Sequence, residues 1–136
     1  MSEKQVHEKV VERNENFYKF VTEKRTSPDD FNDWLSVVIF YTVVHHCEIA
    51  LSESGVHSSS HEDRETWLDT NIYFPYAKLQ KTKEMSKIYF KLKSHCNRAR
   101  YKGIVPSSVE LEEDYSEMER FKKISSEIFA LTILKE

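Results

Sequence analysis

A chain of 136 residues fits a single domain, residues 1–136, built around one hydrophobic core. Its 2 glycines and 3 prolines exclude an all-β fold, which needs turn residues about every 8–12 positions. Charged residues make up 32% of the chain but the net charge is −3, which argues against a protein that coats nucleic acid with its whole surface.

Apolar spacing predicts an all-α fold, an antiparallel bundle of about five helices. The first predicted helix covers about residues 3–25. Apolar residues at helical spacing predict its buried stripe: Val6, Val10, Phe17, Phe20 and Val21.

The second predicted helix, about residues 27–54, is the centre of the bundle. Ser27 caps it, Pro28 suits its first turn, and Gly55 ends it. Apolar residues cover most of its circumference, which is typical of a helix that packs on several sides.

Three further helices follow a serine-rich loop. The third covers about residues 61–69 and the fourth about 76–100, where Gly103 stops it. The fifth begins after Ser107, which has capping-box spacing to Glu110.

Two features bear on location. Cys47 and Cys96 lie far apart within apolar helical patterns, so we expect buried, reduced thiols. The sequence contains neither an apolar leader nor an apolar run of about 18 residues. We therefore expect a cytoplasmic protein that does not associate with a membrane.

Polar residues interrupt the predicted central helix. Trp34, Tyr41, His45 and Glu48 are spaced to line one face. Buried polar groups need hydrogen-bond partners, so three interpretations stay open: a core network, an acid–base or ligand site centred on His45, and a metal site using His45 and Glu48. A metal site needs ligands from other helices, and the fourth helix offers only His95. We therefore expect no metal and no other cofactor.

The loop before the third helix contains a second polar cluster. His57 and His61 are four residues apart, with Arg64 downstream. This spacing suits ligation or anion binding at a helix start. The alternative interpretation is a solvated turn whose histidines only cap or pack.

Charge is concentrated in the predicted fourth helix. Residues 78–102 contain nine basic side chains and one acid, a charge of +8, and residues 110–119 contain six acids. Two interpretations stay open: adjacent helices neutralise each other, or a basic face interleaved with Tyr89, Phe90 and Tyr101 binds phosphates.

Three segments in a fixed order carry a family resemblance. Residues 33–48, with Tyr41, His45 and Glu48, precede a Gly-Val-His loop with a second histidine at residues 55–64, and Arg-Ala-Arg-Tyr follows at 98–101. This set resembles small stand-alone prokaryotic members of the HEPN superfamily, the higher eukaryote and prokaryote nucleotide-binding domains. The resemblance spans roughly residues 30–102.

The resemblance implies a helical bundle that forms a homodimer. Many relatives are metal-independent ribonucleases of toxin–antitoxin, phage-defence or CRISPR systems, with an arginine followed four to six residues later by a histidine. No arginine in this chain has a histidine at that distance. The resemblance then leaves candidate catalytic residues His45, His61 and Arg100, and candidate binding residues Tyr41, Glu48, His57, Arg64, Arg98 and Tyr101.

The leading prediction is a HEPN-type homodimer that binds RNA or nucleotides, with a cognate partner such as a nucleotidyltransferase. One alternative is a metal-independent ribonuclease toxin with an unusual His/Arg site, so enzyme activity stays open. Another is a structural helical adaptor. If the resemblance holds, Arg100 and Tyr101 point toward His45 and Arg98 lies nearer solvent.

Overall fold

The computed structural model of the chain describes residues 2–53, 64–65, 68 and 79–135. Within these ranges the chain is helical and contains no strand, which confirms the all-α prediction. The described helices are Glu3–Lys24 (α1), Asn32–Glu53 (α2), Leu79–Tyr101 (α3) and Ser108–Lys135 (α4). The predicted third helix lies mostly outside the described residues, although Arg64, Glu65 and Leu68 are helical.

The buried stripe of α1 differs from the predicted one. The side chains predicted to be buried include three that are exposed: Val6, Phe17 and Phe20. Val11 is buried instead, and Tyr18 packs against the core. The predicted stripe lay on the wrong face of the helix because Phe17 and Phe20, which are large and apolar, were expected to be buried. The inward face of α1 therefore continues from Val11 back to His7 and Glu3, at intervals of four residues.

Helix α2 begins later than predicted. The Ser27 hydroxyl accepts a hydrogen bond from the Asp29 amide at 3.2 Å, and the Ser27 carbonyl accepts one from the Asp30 amide at 3.1 Å. These bonds close a local turn, and Phe31 then adopts a left-handed φ of 65° that interrupts a helix. The helix consequently starts at Asn32.

Buried Asn32 anchors this start to two other parts of the chain. Its side-chain oxygen accepts a hydrogen bond from Arg25 Nη1 at 2.6 Å, and its Nδ2 donates to the Pro106 carbonyl at 3.1 Å. Both ends of a fully buried amide are thus satisfied, as burial requires. These bonds tie the α1–α2 turn to the segment before α4.

Helix α2 is the central helix, as predicted, because it contacts α1, α3 and α4. Its segment Asn32–Ser52 is long and apolar enough by composition to cross a membrane, but 67% of the most apolar window is buried in the bundle. Packing on several sides accounts for the same composition. Cys47 and Cys96 are buried free thiols, as predicted.

Contacts between side chains define the direction of the helices. Glu84 near the start of α3 meets Arg120 of α4, whereas Arg98 near the end of α3 meets Glu110 near the start of α4. These helices are therefore antiparallel. At the turn between them, Gly103 adopts a φ of 65° and the Ser107 hydroxyl accepts a hydrogen bond from the Glu110 amide, as the predicted cap requires.

Candidate functional site

An exposed arginine meets a tyrosine where α3 ends against α2. Arg100 Nη1 donates a hydrogen bond to the Tyr41 hydroxyl at 3.0 Å, and its guanidinium carbon lies 5.1 Å from the centre of the Tyr101 ring. Tyr101 is 69% exposed. Arginine is charged at physiological pH, and the hydrogen bond to Tyr41 raises the pKa of Arg100 further above its ordinary value. The result is an oriented cation beside an accessible aromatic ring.

Apolar side chains continue from this arginine across the end of the bundle. A hollow of about 90 Å³ is bordered by Trp34, Val37 and Arg100, and also by the acidic residue Asp33. On its other side, Trp34 borders an apolar hollow of about 170 Å³. Phe17 and Phe31 line the second hollow. We call Phe17, Phe31 and Trp34 the aromatic face; their exposed fractions are 48%, 57% and 62%.

His45 faces α1 rather than Arg100. Its Nδ1 lies 2.8 Å from Nδ1 of His7, so one ring donates a proton and the other accepts it. Burial, followed by the neighbouring charges of His7 and Arg64, lowers the pKa of His45 to about 4. His45 is therefore neutral at physiological pH, one turn after Tyr41 along α2.

Glu48 and Arg64 are paired with each other. Arg64 Nη1 donates to Glu48 Oε1 at 2.7 Å, and their side chains are only 9% and 5% exposed. Both residues were predicted to bind a ligand, but they form a buried ion pair that joins α2 to the segment before α3. The other two loop candidates, His57 and His61, lie outside the described residues.

Arg98 occupies a different environment from Arg100. It pairs with Glu110 at 3.2 Å and is half-buried, whereas Arg100 is exposed. The expectation that Arg98 lies nearer solvent is therefore wrong. Adjacent His95 Nδ1 lies 2.7 Å from an oxygen of Asp114, which is buried.

Charge neutralisation between helices accounts for part of the basic segment. Arg98 pairs with Glu110, and Glu84 pairs with Arg120 across the same two helices. Lys93 pairs with Glu65. Arg100, in contrast, makes no ion pair within the described part of the chain. Neutralisation between helices thus accounts for Lys93 and Arg98, whereas the interpretation of a phosphate-binding face stays open for Arg100.

Sequence reasoning missed three polar residues that the fold places between α1 and α2, two of them partly exposed and one buried. Glu3 and His7 of α1 approach Glu48, with ligand atoms within 4.8 Å of one another. His46 is 7% exposed and borders a cleft of about 420 Å³ between α1, α2 and α4. The continuous spacing of Glu3, His7 and Val11 was a usable signal, because one face of a helix repeats every three to four residues.

Comparisons with protein-family models, curated proteins and solved structures give no match. Of the candidate residues, the fold brings Arg100, Tyr41 and Tyr101 together. His45 and the Glu48–Arg64 pair lie farther along α2.

Proposed function

We propose that this chain is a HEPN-like helical domain that binds RNA or nucleotides through Arg100 and Tyr101 and functions as a homodimer in the cytoplasm. The observation that carries the proposal is the exposed Arg100 guanidinium, held by the Tyr41 hydroxyl beside the Tyr101 ring. A guanidinium fits phosphate oxygens with two parallel hydrogen bonds, and an aromatic ring offers a surface on which an unpaired base can stack. Both groups are accessible here.

The local arrangement favours a phosphate ligand even though the chain is acidic. The hydrogen bond to Tyr41 uses one of the five N–H donors of Arg100, which leaves donors for a ligand. Lys102 is also exposed, two residues farther along. Because Tyr41 orients the side chain, less conformational entropy is lost when a phosphate binds.

The aromatic face supports the homodimer. Large exposed aromatic side chains that cluster around an apolar hollow are typical of protein interfaces. Trp34 borders both this hollow and the one beside Arg100, so a second copy that covers the aromatic face would bring its own polypeptide close to the ligand site. The all-helical fold is compatible with the HEPN-like bundle that this proposal assumes.

A ribonuclease is the second candidate because His45 is neutral at physiological pH. A neutral imidazole can accept a proton from an attacking hydroxyl. Its Nδ1 is engaged by His7, however, and Arg100 contacts the chain one turn earlier, at Tyr41. Catalysis would thus require the remaining ring nitrogen, Nε2, and a substrate that extends from Arg100 to His45.

Titration of labelled single-stranded RNA tests the ligand proposal. We expect Arg100→Ala to weaken binding at least about tenfold, and Tyr101→Ala to weaken it similarly, since stacking on one aromatic ring contributes about 1–3 kcal/mol per base. Arg98→Ala is the matched control because that arginine is paired with Glu110; it should change the affinity less than about threefold. Binding should also weaken as salt is raised.

The outcomes separate the three functions. If the wild type does not bind RNA or nucleotide at low salt, the proposal fails and a structural adaptor is favoured. Cleavage that His45→Ala abolishes without unfolding the protein would establish the ribonuclease instead. Equal losses from Arg98→Ala and Arg100→Ala would show that general charge, and not the oriented arginine, attracts the ligand.

Sedimentation tests the homodimer. Trp34→Lys places a charge in the aromatic face and should convert a dimer at micromolar concentration into a monomer. Val6→Lys is the control, because Val6 is exposed on α1 about three turns from Phe17. A wild-type monomer would overturn the homodimer, and a dimer that Trp34→Lys leaves intact would exclude the aromatic face as its interface. A cognate protein such as a nucleotidyltransferase would then be the alternative partner for that face.

A further inference from the structure

We propose that the cleft between α1, α2 and α4 binds a small aliphatic amine through the carboxylates of Glu8 and Glu12 and the buried imidazole of His46. The cleft is lined by neither Arg100 nor Tyr101 and does not depend on RNA binding. Its volume is about 420 Å³. Small-molecule sites in proteins commonly have volumes of about 300–1,000 Å³, so the cleft is large enough for such a ligand.

Three apolar residues form the floor of the cleft. Val11 of α1 lies there with Ile49 and Ala50 of α2, and both Val11 and Ala50 are buried. Charged and hydroxyl side chains of α1 and α4 complete the lining. A ligand that combines a hydrocarbon chain with one charged end matches both parts, because the chain removes apolar surface from water while the charged end meets polar groups.

The lining of the cleft carries a net negative charge. Three carboxylates and two ammonium groups face it, those of Glu8, Glu12, Glu15, Lys4 and Lys122. His46 adds no charge at physiological pH, because burial lowers its pKa to about 4. Three acids against two lysines leave a charge of −1, so a ligand with one positive charge complements the cleft better than an anion does.

Glu8 and Glu12 are the carboxylates that remain for a ligand. Glu15 already pairs with Lys122 at 3.4 Å. Glu8 and Glu12, in contrast, are exposed and make no ion pair within the part of the chain that the structure describes. They are four residues apart on α1, a spacing that places two like charges on one helix face and is unfavourable. An ammonium group bound to them would relieve this repulsion.

His46 provides an independent indication of a ligand. It lines the cleft and is 7% exposed, yet its Nε2 atom has no hydrogen-bond partner among the described residues. Buried polar atoms in proteins are nearly always hydrogen-bonded. The ring nitrogen therefore lacks a partner that a ligand in the cleft can supply.

The position of Glu15 indicates that the missing partner is a donor. A protonated Nε2 of His46 would donate to the Glu15 carboxylate, but that oxygen lies 4.0 Å away, beyond hydrogen-bond distance. A neutral imidazole has one N–H and one lone pair, and this arrangement fits a lone pair at Nε2. An ammonium group has enough N–H donors for Nε2 and a carboxylate at once. The Glu15 side chain is 26% exposed, so its rotation can open a path to Nε2.

Calorimetric titration of the full chain with n-hexylamine at neutral pH tests the proposal. This probe has a hydrocarbon chain and one ammonium group, and we expect one equivalent to bind to the wild type. Hexyltrimethylammonium has the same charge without N–H donors, and hexanoate has the opposite charge. Each should bind at least about tenfold more weakly, since a hydrogen bond to a charged group changes affinity by about that factor or more.

Variants of the lining locate the bound amine. His46→Leu removes the acceptor, and Glu12→Gln removes one carboxylate at an exposed position; each should weaken binding by about tenfold or more. Glu23→Gln is the matched control, because Glu23 is an exposed acid of α1 that does not line the cleft, and it should leave the affinity unchanged. Arg100→Ala should also leave it unchanged. Thermal melting checks that every variant is folded.

Each alternative result overturns the proposal. If hexylamine does not bind to the wild type, an ordered water molecule is the simplest partner for His46 Nε2. Equal affinity for hexyltrimethylammonium would exclude hydrogen bonds from the ammonium group. Affinity that survives either His46→Leu or Glu12→Gln, or that is lost in Glu23→Gln, would place the amine elsewhere. RNA is absent from the assay, so failure of the RNA proposal does not affect the result.

Discussion

In the seam between α3 and α4, His95 faces the carboxylate of Asp114, whereas in the seam between α1 and α2, His7 faces another histidine. The first seam continues with ion pairs of opposite charge, Arg98 with Glu110 and Arg120 with Glu84. The second brings Glu3 and Glu48 close to His7, and Glu48 pairs with Arg64, which comes from outside both helices.

The difference separates contacts between opposite charges from a contact between two side chains of the same type. Opposite charges that pair within the protein leave little for a ligand to gain. In the His7–His45 contact one Nδ1 donates and the other accepts, and the Nε2 atom of each ring lies outside that bond. Histidine and acid content alone would not distinguish the two seams, because each contains both residue types.

The largest expected effect breaks the buried ion pair between Arg64 and Glu48. Arg64→Ala should lower the free energy of unfolding by about 3–5 kcal/mol, because it leaves Glu48 buried and unpaired. Arg120→Ala is the matched control: Arg120 is 59% exposed, and its pair with Glu84 should contribute less than about 1 kcal/mol. Urea denaturation measures both losses, and equal losses would contradict the contrast between a buried pair and a surface pair.

Acid should weaken the α1–α2 side through His46. Burial, followed by the charges of Lys122 and His45, lowers the pKa of His46 to about 4, although Glu15 lies 4.0 Å away. The unfolded chain, with an ordinary pKa near 6.5, then binds more protons between pH 6.5 and pH 4. The free energy of unfolding should therefore fall as the pH drops through this window.

One such histidine can change the free energy of unfolding by at most about 1.4 kcal/mol per pH unit. His46→Leu removes the titrating group and should flatten the dependence by that amount, while His45 retains its own contribution. Urea denaturation at several pH values between 4 and 7 provides the measurement. A slope that His46→Leu leaves unchanged would assign the acid sensitivity to other groups.

The two sides of the bundle also differ in how well the sequence predicted them. In α4, Leu111, Met118 and Phe121 are buried, and they lie at the three- and seven-residue spacing of one helix face, with charged residues between them. In α1 the pattern was ambiguous, since Phe17 and Phe20 are large and apolar yet exposed. Large aromatic side chains that stay exposed mislead a prediction based on burial.

The candidate site was predictable only in part for a similar reason. The family resemblance directed attention to Arg100, and the structure places it against Tyr41. The resemblance could not reveal the contact of His7 with His45, because that contact depends on how α1 and α2 are aligned along each other. The start of α2 was also predicted too early. The left-handed conformation of Phe31, which interrupts the helix, is not specified by its residue type.

The smallest expected effect concerns the Arg98–Glu110 pair, which tests whether the α3–α4 seam depends on individual surface charges. Both side chains are more than a third exposed, at 37% and 39%, so a double-mutant cycle with Arg98→Ala and Glu110→Ala should give a coupling of about 0.2–1 kcal/mol. Added salt should reduce that coupling, because solvent ions screen exposed charges.

The Lys122–Glu15 pair between α4 and α1 is the control for this cycle, with side chains 46% and 26% exposed and a separation of 3.4 Å. Similar small couplings for both pairs would show that the α3–α4 seam is stabilised mainly by its apolar contacts and by the buried His95–Asp114 pair. A coupling well above 1 kcal/mol for Arg98 and Glu110 alone would contradict this, and would mean that the partly buried guanidinium of Arg98 is screened from water more than its exposure indicates.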